Sequence, residues 1–288
     1  MPTFILVQST DGTADGPVFA TALAVARKFN SHLAFLHVRP DARQEFAALA
    51  AVEVGVVSGI GDTMARLEHA ADRREHDAAR AWHDFCDREG LALRTAPPAD
   101  GVSVEWINEI GAADAWVAAC GRTADLVVAG RARPGGGHAM EVLEAALMDS
   151  GRPVLIAPFE PPASVGRVVT IAWKDTREAA AAVNAAVPFI ARAERVIILM
   201  VDEGDSAGDR SPERLQGALR WHTPNVLLHR LVIAARSPAD TLLRAAGHAE
   251  ADLLVMGGYG HTRLREAVFG GVTRHVLERA TLPVLMAH

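Results

Sequence analysis

The two halves of this chain repeat one order of apolar segments. "TFILVQS" opens the first half and "RVVTIAW" opens the second. Nearly the same sequence occurs late in each half, "ADLVVAG" from Ala124 and "ADLLVMG" from Ala251. The two halves also end alike, with "RPVLIAP" from Arg152 and "LPVLMAH" from Leu282. Because one plan occurs twice, the chain predicts two tandem domains of one fold, and 288 residues suit two domains of ordinary size.

Strand-like and helix-like segments alternate within each half. The apolar runs are continuous rather than alternating, as is typical of strands buried on both faces of a parallel sheet. Alanine-rich helical stretches follow each opening strand, at residues 19–29 and in "REAAAAVNAAVPFIARA". This alternation predicts an α/β fold in each half, with a doubly wound parallel sheet between helices.

The closing strand of each half begins next to a proline, Pro153 or Pro283. Proline cannot donate to a strand ladder, so it favours an edge strand or the first position of a strand. Two matching edge strands in one chain predict that they pair with each other and hold the halves together.

A proline-rich segment, "APFEPPASVG", separates the halves. Its three prolines and lack of periodicity indicate a linker. The predicted domains are therefore residues 1–157 and 167–288, joined by a linker at 158–166.

Composition excludes several classes of partner. The net charge is −6 and no block of Lys or Arg stands out, which disfavours nonspecific nucleic-acid binding. No apolar stretch approaches the roughly 20 residues of a membrane helix. The two cysteines, Cys86 and Cys120, form no CxxC pair, so a reduced, cytoplasmic protein is expected.

A long helix is predicted over residues 62–89. One apolar stripe unites six of its side chains, Met64, Leu67, Ala71, Ala78, Trp82 and Phe85. His69, His76 and His83 recur every seven residues, whereas histidines that chelate a metal on a helix sit three or four apart. A solvated helix face is therefore favoured over a metal site.

Three glycines after "ADLLVM" are spaced as Gly257, Gly260 and Gly270. Loops at the carboxyl ends of the strands form the ligand crevice of a doubly wound sheet, where glycine permits a positive φ and a close approach to a ligand. The helix predicted from Gly270 offers unpaired N–H groups to an anion. The pattern therefore predicts a phosphate-binding loop, which matches neither the P-loop motif nor the dinucleotide-binding motif GxGxxG. The alternative is a set of ordinary turn and capping glycines, in a region that also contains Gly258 and Gly271.

The tandem plan, the closing "PVL" strands and the Gly-x2-Gly-x9-Gly pattern resemble the universal stress proteins over essentially the whole chain. The resemblance implies a five-stranded parallel sheet in each half, of order 3-2-1-4-5, with pairing through the last strands. It also implies a role in stress tolerance and membership of the ATP-binding branch of that family.

Carried over by position, Gly257, Gly260 and Gly270 match the family pattern. Gly271 stands where the family has a Ser or Thr hydroxyl that contacts phosphate, and Thr273 is only a partial substitute. A hydrogen bond to a charged group contributes roughly 1.5–3 kcal/mol, so its loss weakens binding by about tenfold or more.

The end of the second half's first strand also departs from the family. Family members carry an acidic residue there, in a sequence like "AVDGS", whereas this chain has "AWKDTRE". In strict register Lys174 replaces the acid and Asp175 replaces the glycine. Either the carboxylate has moved one place or the ligand is held differently, and Lys174 either meets a phosphate or is an exposed loop lysine.

The resemblance thus places an adenine-nucleotide site at strand ends, at the glycine loop and at the last helix. It comprises Ala172, Trp173, Lys174, Asp175, Val201, Met256, Gly257, Gly258, Gly260, His261, Arg263, Gly270, Gly271, Val272 and Thr273.

The first half retains little of this pattern. It keeps Gly130, but Arg133 stands in the place of Gly260 and Met140 aligns with Gly270. A degenerate copy with a structural role is expected.

The predicted function is the binding of ATP, with Mg2+ bridging its phosphates, as a regulatory ligand. No residue set supports efficient catalysis, so at most slow ATP hydrolysis is expected. Two alternatives stay open, a scaffold of the same fold that binds no nucleotide and a slow hydrolase or transferase. A homodimer of such chains is left open as well.

Overall fold

A single sheet of eleven strands runs through both halves of the part of the chain that the structure describes. The structure is a computed structural model, and it describes residues 1–12, 15–52, 60–94, 96, 101–131, 137–202, 209–233, 237–258 and 271–288.

The first half alternates strands and helices, as its sequence predicts. Its elements are β1 (Phe4–Ser9), α1 (Asp15–Phe29), β2 (His32–Arg39), α2 (Ala42–Val52), α3 (Ile60–Glu89), β3 (Ala92–Leu93), β4 (Ser103–Ile110), α4 (Ala113–Gly121), β5 (Leu126–Ala129), α5 (Gly137–Asp149) and β6 (Val154–Ile156).

The second half follows the same order, except that one described helix lies between its second and third strands, where the first half has two helices and a two-residue strand. Its elements are β7 (Val168–Ala172), α6 (Arg177–Ile190), β8 (Arg195–Asp202), α7 (Ser211–Leu219), β9 (Val226–Val232), α8 (Pro238–His248), β10 (Leu253–Gly257), α9 (Gly271–Arg279) and β11 (Val284–Ala287).

The strand order confirms the expected doubly wound topology. In the second half the order is β9-β8-β7-β10-β11, which is 3-2-1-4-5, and every pair is parallel. The first half has the same order with one addition. The two-residue β3 pairs outside β4, and Arg94 N donates to Val104 O at 2.9 Å beside it, so this half has six strands where five were expected.

The two halves join through their closing strands, as the prolines predict. β6 and β11 pair antiparallel, with Leu155 opposite Leu285 at the centre of the contact. Pro153 and Pro283 lie just before the two strands, where their missing N–H groups remove no ladder hydrogen bond. The two expected sheets are therefore one continuous sheet.

Helices cover both faces of this sheet. Ile5 and Val7 belong to a buried apolar cluster that includes side chains of α1, α3 and α6, whereas Leu6 belongs to a second cluster with side chains of α4, α5 and α9. Successive strand residues point to opposite faces, so these two clusters lie on opposite faces of the sheet. No helix in the described residues is both long enough and apolar enough to cross a membrane.

The aspartate of the repeated "ADL" sequence has the same structural role in both halves. The Asp125 carboxylate accepts hydrogen bonds from the backbone N–H groups of Thr3 (2.8 Å) and Phe4 (3.0 Å) at the start of β1. Burial raises the pKa of Asp125, but these bonds outweigh it and hold the pKa below its usual value. Asp252 accepts the equivalent backbone hydrogen bonds at the start of β7. Each carboxylate therefore fixes the first strand of its half against the fourth.

The long helix α3 confirms the predicted apolar stripe from Ala71 onward. Ala71, Ala78, Trp82 and Phe85 are buried, while Met64 and Leu67 are only partly covered. The histidines at positions 69, 76 and 83 are all exposed. The described residues contain no cluster of three metal-binding side chains.

Candidate functional site

The described part of the predicted site lies at the carboxyl ends of β7, β8 and β10 and at the start of α9. Met256 pairs with Ala172, and Ala172 pairs with Leu199, so the three strand ends are adjacent. The other predicted residues, Gly260, His261, Arg263 and Gly270, lie outside the described residues.

One apolar cluster brings several predicted residues together. Ala172, Val201 and Val272 pack against the side chains of Leu199 and Leu242 on the face covered by α8 and α9. Met256 is buried beside them in the neighbouring core cluster. The ends of β7 and β8 and the start of the last helix therefore contribute to one apolar cluster.

Trp173 lies on the opposite face of the sheet. It packs against the core cluster of α6, and its Nε1 donates to Ser211 Oγ at 3.0 Å, at the start of α7. Asp209 accepts a hydrogen bond from the Ser211 backbone at 2.7 Å. Trp173 thus connects the end of β7 to α7, a role that its position in the sequence does not indicate.

Lys174 and Asp175 are both exposed in the loop between β7 and α6. Arg214 of α7 approaches Asp175 at 3.4 Å, and both side chains are mostly exposed. Exposed ion pairs contribute little, about 0–1 kcal/mol, so Asp175 retains its capacity to accept hydrogen bonds from a ligand.

Gly257 is required by packing rather than by a turn. A Cβ at this position would lie 2.6 Å from the backbone nitrogen of Ala179 and 2.8 Å from the carbonyl carbon of Glu178, in the first turn of α6. Its φ is not positive, so this glycine does not use the left-handed conformation that glycine permits. Its bare Cα instead lets the start of α6 press against the end of β10.

The first residue of α9, Gly271, is exposed. Among the described residues, no atom beyond its chain neighbours and the helix's own backbone lies within 4 Å of a Cβ built there. Thr273 is 7% exposed, because two residues of helix turn its side chain about 200° away from position 271. Thr273 therefore does not place its hydroxyl where the family's Ser or Thr would be.

A contact between α8 and α9 holds the amino-terminal half of α9. His275 Nε2 lies 2.7 Å from Asp240 Oδ1, and Ser237 Oγ donates to the other carboxylate oxygen at 2.7 Å. The hydrogen bonds from Ser237 and His275 lower the pKa of Asp240. Sequence reasoning missed this contact because its partners are 35 residues apart and share no motif.

The corresponding crevice of the first half is covered by α3. Gly12 follows β1 with a φ of 81°, and a Cβ there would lie 2.7 Å from the carbonyl oxygen of Asp77. The buried Asp15 closes the same loop by accepting hydrogen bonds from Ser9 Oγ and the Thr10 backbone. The helix that leads to the third strand of the shared order, β4, has 30 residues in this half, whereas its counterpart α7 has nine, so among the described residues a helix covers the crevice in this way in the first half alone.

Aromatic side chains fill the space beneath α3. His37, at the end of β2, stacks on Trp106 with ring centroids 5.9 Å apart, and Trp82 of α3 lies 5.2 Å from Trp106. Among the described residues, neither ring nitrogen of the buried His37 has a partner with regular hydrogen-bond geometry. Burial lowers the pKa of His37, and this outweighs the opposing effects of Asp15, Glu75, the Thr10 backbone and Asp11. A neutral histidine in an apolar stack fits a structural role for this half.

A cavity of about 400 Å³ lies between the two halves. Its lining includes Pro2, Leu147, Arg152, Asn184 and Ala287. Because β6 and β11 are antiparallel, it lies at the amino ends of the first half's strands and at the carboxyl end of β11 in the second half, where Gly258 N donates to Ala287 O at 2.9 Å.

A sequence model of the universal stress protein family matches residues 167–288. The second half is a universal stress protein domain. A universal stress protein of Methanocaldococcus jannaschii is 31% identical over 55 residues, which span 19% of this chain and 34% of that relative. The chain thus matches about a third of the length of this curated relative.

Solved structures extend the likeness in fold to the whole chain. A universal stress protein from Archaeoglobus fulgidus superposes on 99% of the chain and 97% of its own with a TM-score of 0.65 and 16% identity. A protein of unknown function from Pseudomonas aeruginosa PAO1 covers 99% and 92%, with a TM-score of 0.57 and 16% identity. Both halves therefore share the fold of the universal stress proteins.

Proposed function

We propose that the universal stress protein domain of the second half binds an adenine nucleotide, ATP, as a regulatory ligand. In this proposal the adenosine lies at the ends of β7 and β8, and the phosphates lie against the first turn of α9, with Mg2+ accompanying them. The domains of the proposal are residues 1–157 and 167–288, with the linker at 158–166.

The observation that carries the proposal is the open first turn of α9 beside the end of β10. The N–H groups of a helix's first turn and the positive end of the helix dipole favour an anion. The first turn of α6 packs on Gly257 at the same strand end, so a second helix amino terminus lies nearby. The spacing of Gly257, Gly260 and Gly270 supports the same assignment.

Two features support a role inside the cell. Both cysteines are free thiols, and burial with a smaller effect from Asp87 raises the pKa of Cys86 to about 11, so this thiol stays protonated. Free, unreactive cysteines suit a reducing compartment. We propose a cytoplasmic location on this ground.

The scaffold alternative also has observations in its favour. Gly271 lacks the family's hydroxyl, and Asp175 lies 3.4 Å from the cationic side chain of Arg214. A first experiment separates the two functions. Native mass spectrometry of undialysed protein, followed by calorimetric titration with Mg-ATP, is expected to show one nucleotide per chain, since α3 covers the crevice of the first half. An empty protein that binds no ATP at millimolar concentration would support the scaffold instead, and two nucleotides per chain would contradict the closed first half.

Gly271→Ser is expected to tighten ATP binding about tenfold, because it supplies a hydroxyl to the phosphates at a position with room for a side chain. Gly271→Ala is the matched control, since it adds the Cβ without the hydroxyl, and its affinity should stay within twofold of the parent. Calorimetric titration of both variants makes the comparison. Equal affinities for the serine and alanine variants would place the phosphates elsewhere.

A further inference from the structure

Arg131 reaches from the first half into the second. It follows β5, is 8% exposed, and donates through Nη1 to Ala280 O and through Nη2 to Leu282 O at 3.4 Å. Both acceptors lie just beyond the carboxyl end of α9. The guanidinium carbon also lies 5.4 Å over the ring of Phe159 in the linker.

This arginine is a buried cation without a carboxylate partner among the described residues. Burial lowers the pKa of Arg131 to about 10, so the side chain stays protonated at neutral pH. Carbonyl oxygens at a helix carboxyl terminus carry the negative end of the helix dipole, and an aromatic face also attracts a cation. The compensation for the buried charge therefore comes from the end of α9 and from Phe159.

The equivalent position in the second half differs for a steric reason. Arg131 follows "ADLVVAG" as Gly258 follows "ADLLVMG". A Cβ on Gly258 would lie 2.7 Å from Cδ2 of Leu147 in α5, across the junction of the halves. The first half therefore contacts α9 through Arg131, whereas the second half has glycine at the equivalent position, which cannot make an equivalent contact.

We propose that Arg131 is a positioning residue for the nucleotide site of the second half. This inference rests on the proposed function. A nine-residue helix moves nearly as a rigid rod, so fixing its carboxyl end beside Leu282 also fixes the direction of its first turn at Gly271. The cation additionally strengthens the dipole whose positive end faces the phosphates. The first half thereby contributes to a ligand site that it does not itself line.

Arg131→Met tests this role, with ATP and adenosine as the two probes. The variant is expected to bind ATP about fivefold more weakly and adenosine within twofold of the parent, because only the phosphates contact α9. Arg131→Lys should recover part of the loss. A merely structural arginine would weaken both ligands equally or neither.

Arg192→Met is the matched control. Arg192 also crosses the junction, donating to Lys28 O and lying 4.6 Å over the ring of Phe29, but it does not contact α9. The control should leave the ratio of ATP to adenosine affinity unchanged, and an equal loss of ATP binding in both variants would overturn the proposal.

Amide hydrogen exchange separates this inference from the proposed function. In Arg131→Met, exchange over residues 271–279 should rise at least tenfold relative to Arg192→Met, whether or not the protein binds ATP. Unchanged exchange in α9 would overturn the positioning role. If exchange in α9 rises but the protein binds no ATP, the contact of Arg131 with α9 is supported. Its role in ATP binding and the proposed function are then both contradicted.

Discussion

Gly257→Ala is expected to lower the free energy of unfolding of the second half by about 3 kcal/mol, because the added methyl group would collide with backbone atoms of α6. Ala179 N and the Glu178 carbonyl carbon cannot rotate away as a side chain can. The start of α6 must therefore lift from β10, which loosens Ala182 and Val183 from the core. Urea unfolding followed by circular dichroism measures the change.

Gly271→Ala provides the comparison within the same glycine-rich region. Its Cβ meets open space and it begins a helix, so the variant should be as stable as the parent or more stable by about 0.5 kcal/mol. If Gly257→Ala were as stable as Gly271→Ala, the close approach of α6 to β10 would be wrong. If Gly257→Ala lost ATP binding but kept its stability, the glycine would serve the ligand rather than the packing.

Asp252→Ala is expected to lower the free energy of unfolding by about 3 kcal/mol, because hydrogen bonds to a charged group contribute about 1.5–3 kcal/mol each and truncation leaves their donors without an acceptor. The carboxylate accepts hydrogen bonds from the backbone N–H groups of Arg167 and Val168, both at 2.8 Å, and from Ser164 Oγ at the end of the linker. Chemical denaturation at neutral pH gives the value.

Two further variants make this prediction specific. Asp252→Asn retains one acceptor oxygen and should lose about half as much stability as Asp252→Ala. Asp125→Ala removes the equivalent carboxylate of the first half, but that residue is exposed, so its loss should be smaller, about 1–2 kcal/mol. Equal stabilities for Asp252→Ala and the parent would show that the start of β7 is fixed by other contacts.

Much of the fold could be predicted from the sequence because its signals are local or repeated. Continuous apolar runs identify buried parallel strands, and the prolines at 153 and 283 mark the strands that join the halves. The order 3-2-1-4-5 came from the resemblance to a family, since the periodicity of single segments does not state which strands are neighbours.

The candidate site was less predictable because its contacts join distant parts of the chain. The spacing of Gly257 predicts a ligand loop and does not reveal the packing reason for this glycine, since the approach of α6 is a tertiary contact. Arg131 follows β5, where the sequence keeps little of the glycine pattern of the second half. Its partners near Leu282 are about 150 residues away in the chain. The covering of Gly12 by α3 likewise depends on the path of a helix rather than on any motif.

The antiparallel contact between β6 and β11 has a consequence for how the two halves of the chain stay associated. In two separate polypeptides such an association would dissociate on dilution, because it would be bimolecular. Here both strands belong to one covalent chain, so the association is unimolecular and independent of protein concentration. The arginine contact onto α9 therefore persists at any cellular abundance of the protein.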